Sequence, residues 1–377
     1  MTRFLKATIL IALSMYWPTL HAVPEPPDFK AKSYILLDYN SGQVLAARKP
    51  DMRIEPASIT KLMTAYIVFS ELQAGNVTLD DEVHISEKAW RMGGSKMFVR
   101  VGTKVRLEDL LRGMIIQSGN DATVALAEYL AGGEDTFAEV MNQYAANLGM
   151  TGSNFTNATG WPGKNHYSTA RDIAVLSRAI VRNFPEYYSY YSEKEFTWNK
   201  IKQHNRNRLL WREDGVDGLK TGHTESAGYC LVTSALRDKM RLIAVVIGTD
   251  SDKARTKASQ ALLNYGFRFY ESHDLFQAGV AVEQSKVYKG DVGEVPIGFL
   301  HALKVATPRG RRDGLSLKAE VQKAIIAPIE KGEQLGMLKI TLDGQVIHTE
   351  PLVALKSVAE GAWWQRWIDE ALLLIAE

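Results

Sequence analysis

Cys230 is the only cysteine of the chain, which excludes an internal disulfide and any chemistry that needs a thiol pair. It lies in Gly228-Tyr229-Cys230-Leu231-Val232, a strand-like run, so its thiol is expected to be a small buried apolar group and not a nucleophile. None of the eight histidines stands in a His-Glu-x-x-His pattern; a catalytic zinc has no evident home, and no metal or cofactor is expected. Charge of one sign is also lacking. The formal net charge is +2, and the 45 lysines and arginines fall to 43 without Arg3 and Lys6, against 43 acidic residues. That balance gives no reason to expect a nucleic-acid partner. A long apolar run is missing as well: Ala7 to Trp17 is too short for a membrane span, which needs about 20 residues. Preceded by Arg3 and Lys6 and followed by Leu20-His21-Ala22, it reads as a signal peptide over residues 1–22, cleaved after Ala22. The remainder is long for one core and predicts two domains.

What the chain does have is Ser58-Ile59-Thr60-Lys61, its only Ser-x-x-Lys, at the head of an apolar helical stretch from Leu62 to Leu72. One turn separates the two polar side chains, so they face the same way. A serine hydroxyl needs a base within about 3 Å to act as a nucleophile, and a lysine buried enough to shed its proton can be that base. The tetrapeptide alone is weak evidence. Ser118-Gly119-Asn120 and Lys220-Thr221-Gly222 follow in order and at domain-scale separations, and the three together resemble the pattern of penicillin-binding proteins and serine β-lactamases, with glycine where that pattern has aspartate in the middle element and its serine and asparagine intact.

Periodicity supplies the framework. Ser33–Tyr39 and Gln43–Ala47 read as a hairpin around Asn40-Ser41-Gly42. Helical patterns span 107–116, 122–131 and 137–148, with Asn120 or Asp121 expected to cap the second of these. Strand patterns return at 229–236 and 242–247, and a helix is expected over 253–270. Strands at both ends with helices between them imply an α/β fold: an antiparallel sheet, first and last strands paired, flanked by helices. The stretches 280–288, 294–300, 304–307, 315–321, 338–342 and 345–349 then read as strands of a small all-β domain, the last two joined by Asp343-Gly344. The expected units are a catalytic domain over 30–275, a β-rich domain over 276–355 and an amphipathic helix over 356–377. On that helix Trp363, Trp364, Trp367, Ile368 and Leu372 fall on one half of the wheel and Gln365, Arg366, Asp369 and Glu370 on the other. Three tryptophans on one face suit the bilayer interface, so a membrane contact on the outer side of the cytoplasmic membrane is expected.

Ser58 is the candidate nucleophile and Lys61 its base, with Lys220 the candidate second cation that lowers the Lys61 pKa. Ser118 can relay a proton to a departing amine, and the Asn120 carboxamide can hold a substrate backbone. Lys220 and Thr221 can grip a substrate carboxylate, while Gly222, lacking a side chain, lets a substrate backbone lie close along the strand.

At this point the chain resembles the D-alanyl-D-alanine carboxypeptidases of the penicillin-binding protein 5 and 6 type. The likeness extends to residues 165–172, to His223-Thr224, to Gly266-Phe267-Arg268-Phe269 and to Ala327-Pro328-Ile329-Glu330. It implies removal of the terminal D-alanine from peptidoglycan pentapeptides and covalent capture of β-lactams by the same serine, in peptidoglycan maturation and maintenance of cell shape. It also implies that the His223 N–H is an oxyanion donor, that Arg255 supports the substrate carboxylate, and that the loop over residues 86–101 tunes acyl-enzyme hydrolysis. A β-lactamase of class A would need a Glu-x-x-Leu-Asn motif, which is not found. Transpeptidation differs only in the acceptor, and a non-catalytic wall-binding scaffold would not need Ser58 and Lys61.

Overall fold

A tight turn opens the fold. In the computed structural model, which describes residues 23–376, β1 (Ser33–Asp38) returns as β2 (Val44–Arg48). The Asp38 carboxylate closes the turn by accepting from the Ser41 N–H at 2.8 Å and the Ser41 hydroxyl at 2.6 Å. The leader expected over residues 1–22 lies outside the described residues. Three later strands complete the sheet: β3 (Val216–Thr224), β4 (Gly228–Arg237) and β5 (Met240–Thr249). The order is β2-β1-β5-β4-β3, all antiparallel. The first strand thus pairs with the last, as the sequence patterns imply, and β3 lies at an edge.

Apolar residues run unbroken through β5 because both faces of the sheet are covered. Ile243, Val245 and Ile247 enter one core, while Leu242, Ala244 and Val246 enter the other. The first core is filled by α1 (Lys61–Ala74), buried almost all round, with α2 (Leu107–Ile116), α3 (Asn120–Ala131) and α4 (Glu134–Asn147) packed about it. The same core takes α5 (Ala170–Asn183), absent from the helices read in sequence although Ile173, Leu176 and Ile180 recur at its buried face. The opposite face of the sheet is covered by α6 (Asp252–Phe269), through Ala258, Leu262 and Leu263.

The expected cap of α3 needs correction. Gly119 occupies the cap position, and Asn120 is already helical. The Asp121 carboxylate faces a different set of donors, accepting from the N–H groups of Met97 at 2.8 Å, Phe98 at 2.8 Å and Val99 at 3.2 Å. It therefore ties the preceding loop to the start of α3, while its Oδ1 also accepts from the Ala122 N–H at 2.9 Å.

Beyond α6 the chain is β-rich. β6 (Tyr270–Phe276) runs through the expected boundary at 275/276 and pairs with β9 (Leu303–Pro308). The larger sheet takes β7 (Ala281–Tyr288), β8 (Glu294–Gly298), β10 (Leu315–Val321), β11 (Gln334–Leu342) and β12 (Gln345–Ala354), in the order β10-β11-β12-β8-β7, with Ile325–Ile326 beyond β7. The Asp343-Gly344 turn joins β11 to β12 with both residues at positive φ, the left-handed pair that a two-residue hairpin turn requires. This unit has its own core, with Phe299, Ile297, Val305, Leu338 and Leu352 at its centre. The terminal helix α7 (Trp363–Ala376) follows, held to the β-rich unit by Lys289, whose N–H meets the Asp369 carboxylate and whose ammonium pairs with Glu370. No described helix is long and apolar enough to cross a membrane.

Phe299→Ala should cost about 3 to 5 kcal/mol, the usual cost of emptying an aromatic site in a core. Because the two units have separate cores, hydrogen exchange should rise in β8, β11 and β12 and stay slow in β1, β4 and β5. Equal acceleration in both sets would show one cooperative core.

Candidate active site

The local backbone explains how Ser58 meets Lys61. Residues Ala57–Thr60 form a 3-10 turn, and α1 begins at Lys61. In a 3-10 turn side chains three apart eclipse, closer than the α-helical offset that the sequence pattern suggests. Lys61 Nζ accordingly lies 3.2 Å from Ser58 Oγ. Ala57, just before the serine, is held at φ +48, a conformation costly for a residue with a side chain. The turn is braced from behind by His166. Its Nδ1 accepts from the Thr156 N–H at 3.0 Å, so the proton sits on Nε2, which donates to Thr60 Oγ1 at 2.8 Å. Burial lowers the His166 pKa to about 4, and the ring is neutral when it makes these bonds.

Lys61 is 1 % exposed, and its amine has three oxygen neighbours. Two of them, Asn120 Oδ1 and the Thr159 carbonyl, both at 2.7 Å, can only accept. The third is the Ser58 hydroxyl, which can give a proton. A free amine spends its two N–H donors on the two acceptors and aims its lone pair at Ser58. Burial lowers the Lys61 pKa to about 7, and the Arg206 guanidinium pushes the same way, partly opposed by Asp121 and Glu134.

Ser118 joins α2 to α3 at φ +66, strained for a serine, and its Oγ is buried with no hydrogen-bond partner among the described residues. It lines the same cavity as Ser58. Asn120 is fixed at both ends of its amide, accepting from Lys61 and donating from Nδ2 to Gly93 O at 2.8 Å. One Nδ2 hydrogen is left for a ligand.

The third motif lies in β3. Lys220 is buried and its ammonium donates to Thr221 O at 3.1 Å. Burial first, then Lys61, Arg206 and Arg255, hold its pKa well below the ordinary lysine value. The cation that acts on Lys61 is Arg206, where the sequence pattern pointed to Lys220; Lys61 in turn helps to lower Lys220. Gly222 borders the cavity at Ser58 and has a packing role besides: a Cβ there would stand 3.1 Å from both Pro56 O and Ile59 Cγ1, and 3.2 Å from Ile59 N. The missing side chain lets β3 pack against the turn that carries Ser58. Arg255 is buried, paired with Asp252 at 2.6 Å, and donates to Gly222 O at 3.0 Å and Cys230 O at 3.2 Å. Cys230 is buried and its thiol pKa is pushed up to about 11, so it is not a nucleophile.

Two cavities meet at Ser58. One, about 1030 Å³, is bordered by Ser118, Thr221, Gly222, His223, Arg206, Arg208 and Arg255. The other, about 650 Å³, is bordered by Asn120, Thr159, Trp161, His223 and Glu225. Every expected site residue is therefore at or beside one cleft. Among the described residues, no group of three or more metal-ligating side chains is placed to hold an ion.

Comparison with known proteins agrees with this geometry. The family described as D-alanyl-D-alanine carboxypeptidase matches residues 21–251, and the penicillin-binding protein 5 C-terminal domain matches residues 270–360. The chain belongs to the D-alanyl-D-alanine carboxypeptidase family. It is 41% identical over 372 residues to the D-alanyl-D-alanine carboxypeptidase DacC of Escherichia coli, covering 96% of this chain and 93% of the relative. It is 43% identical over 356 residues to DacA of Haemophilus influenzae, covering 93% and 91%. Penicillin-binding protein 5 from Haemophilus influenzae superposes with a TM-score of 0.81 at 43% identity, over 89% of this chain and 100% of that one.

Sequence reasoning missed several members of this carboxypeptidase site. Thr159 contributes a carbonyl, which any residue carries, and no side-chain pattern could have marked it. Arg206 acts through space on Lys61 and Lys220, and Asp252 pairs with Arg208 and Arg255; neither belongs to a motif. His166 stands in a stretch that carries the family resemblance, yet its buttressing role needs the fold.

The Lys61 value sets the pH dependence. Only the free amine can take the serine proton, so acylation should be lost as pH falls through about 7 and level off above it. Below that point the rate of covalent β-lactam labelling should fall about tenfold per pH unit. A flat profile between about pH 5 and pH 9 would rule out Lys61 as the base.

Proposed function

We propose that this enzyme releases the terminal D-alanine of peptidoglycan pentapeptides through an ester on Ser58. The observation that carries the reading is the Lys61 amine, held by two obligate acceptors with its remaining valence toward the Ser58 hydroxyl. Lys61 takes the serine proton as Oγ attacks the penultimate D-alanine carbonyl. The Ser58 N–H, at the start of the turn where backbone donors lack an intrahelical acceptor, and the His223 N–H receive the oxyanion. The unpartnered Ser118 Oγ passes a proton to the leaving amine, and the C–N bond breaks. Lys220, Thr221 and Arg255 attract the carboxylate of the departing residue. Water then attacks the ester, with Lys61 again as base, and returns Ser58. A β-lactam enters the same first step, and its acyl-enzyme persists.

We also propose a working division of the chain: a leader over residues 1–22, a catalytic unit to about residue 270, a β-rich spacer, and α7 as an interfacial anchor on the periplasmic face of the membrane. Supporting the anchor, Trp363 is 70% and Trp367 72% exposed, beside exposed Trp364, Ile368 and Leu372. The polar face of α7 is occupied by Lys289 of the β-rich unit, which leaves the tryptophans outward.

Fluorescent penicillin should label the purified protein, and Ser58→Ala should abolish the label. Labelling that survives this substitution would falsify the assignment of the nucleophile. Separately, removal of residues 363–377 should move the exported enzyme from the membrane to the soluble fraction while penicillin labelling is retained. Unchanged fractionation eliminates α7 as the anchor.

A further inference from the structure

The two cavities that meet at Ser58 differ in charge. The larger is bordered by Lys202, Arg206, Arg208 and Arg255, and its one carboxylate, Asp252, is neutralised by Arg208 at 2.9 Å and Arg255 at 2.6 Å. The smaller has a single acidic side chain, Glu225, and neither lysine nor arginine. Glu225 is exposed and forms no ion pair among the described residues. A peptide bound with its terminal carboxylate among the cations and its scissile carbonyl at Ser58 must run upstream into the smaller cavity.

Trp161 builds the wall of that cavity. Its ring is 48% exposed and packs on Gly93 and Gly94, where an added Cβ would stand 3.3 and 3.4 Å from the indole. Its backbone is fixed by Asn157 Oδ1, which accepts from the N–H groups of Gly160 at 2.8 Å and Trp161 at 3.0 Å. A rigid aromatic beside an unpaired carboxylate suits an aliphatic chain that ends in a cation: the methylenes lie on the ring, and the ammonium meets the carboxylate. In an extended peptide the residue before the acylated D-alanine lies about 3.3 Å further on, within such a cavity.

We propose that this cavity is an acyl-side subsite which selects peptides carrying a free side-chain amine on the residue before D-Ala-D-Ala, with Trp161 as its wall and Glu225 as the counter-charge. The inference rests on the carboxypeptidase reading of Ser58 and fixes the direction and chemistry of the donor strand.

The test compares kcat/KM for Nα-acetyl-Lys-D-Ala-D-Ala with that for the Nα,Nε-diacetyl peptide, using the full mature enzyme and following D-alanine release. The wild type should favour the free amine by about two- to fivefold, the range an exposed ion pair supports. The preference should shrink as salt shortens the screening length from about 8 Å at 0.15 M to about 3 Å at 1 M. Glu225→Gln should bring the ratio close to one, and Glu225→Lys should invert it. Trp161→Ala should raise KM for both peptides. Equal turnover of the two peptides by the wild type, or a ratio unchanged in Glu225→Gln, overturns the subsite. Absence of D-alanine release from both peptides overturns the Ser58 reading instead, so the two failures are distinct.

Discussion

A primary amine held inside a protein without a carboxylate partner is the constraint around which the catalytic unit is arranged. Lys61 opens a helix that is buried at every residue as far as Phe69, and its first surroundings are a carboxamide oxygen, a backbone carbonyl and a hydroxyl. Each comes from a different part of the chain. Charge at that position is expensive, because burial in a weakly polar medium disfavours the ammonium. Loss of the proton relieves that cost and yields the base the chemistry needs. The start of α3, the turn before α1 and the loop at Thr159 each place one oxygen against that nitrogen.

That constraint explains which features were legible before the fold was known. Ser58, Lys61, Ser118, Asn120, Lys220 and Thr221 were legible because side-chain chemistry at fixed spacing leaves a trace in sequence. The hairpin, α2, α4 and the Asp343-Gly344 turn were legible from local periodicity and turn chemistry. The 3-10 geometry at Ser58 was not, since a Ser-x-x-Lys reads the same in either helix type. Nor was the contact between Gly222 and the Pro56–Ile59 backbone, which requires knowing that β3 lies against that turn. Asp121 shows the limit most clearly. An aspartate at a helix start reads as a cap, yet besides the N–H of Ala122 beside it the carboxylate accepts from three N–H groups more than twenty residues upstream. At Gly222 and Asp121 the deciding contact is tertiary, and at Ser58 it is a local backbone choice that the side-chain spacing does not distinguish.

The elements outside the catalytic unit follow simpler rules. The β-rich unit builds a separate apolar centre from alternating residues and holds no nucleophile with a base. Its β6–β9 pairing begins as soon as α6 ends, so the two units are joined without a long linker. Lys289 then fastens the acidic side of α7, and the tryptophan face is turned outward by the same contact that satisfies Asp369 and Glu370.

The edge position of β3 has a consequence for solubility. A sheet edge is a row of unclaimed backbone groups that can recruit another chain and seed aggregation. Here Arg255 and Lys220 donate to the Gly222 and Thr221 carbonyls, and Gly222 packs against the turn that carries Ser58. The contacts that assemble the site thus also shield part of this edge from pairing with another sheet.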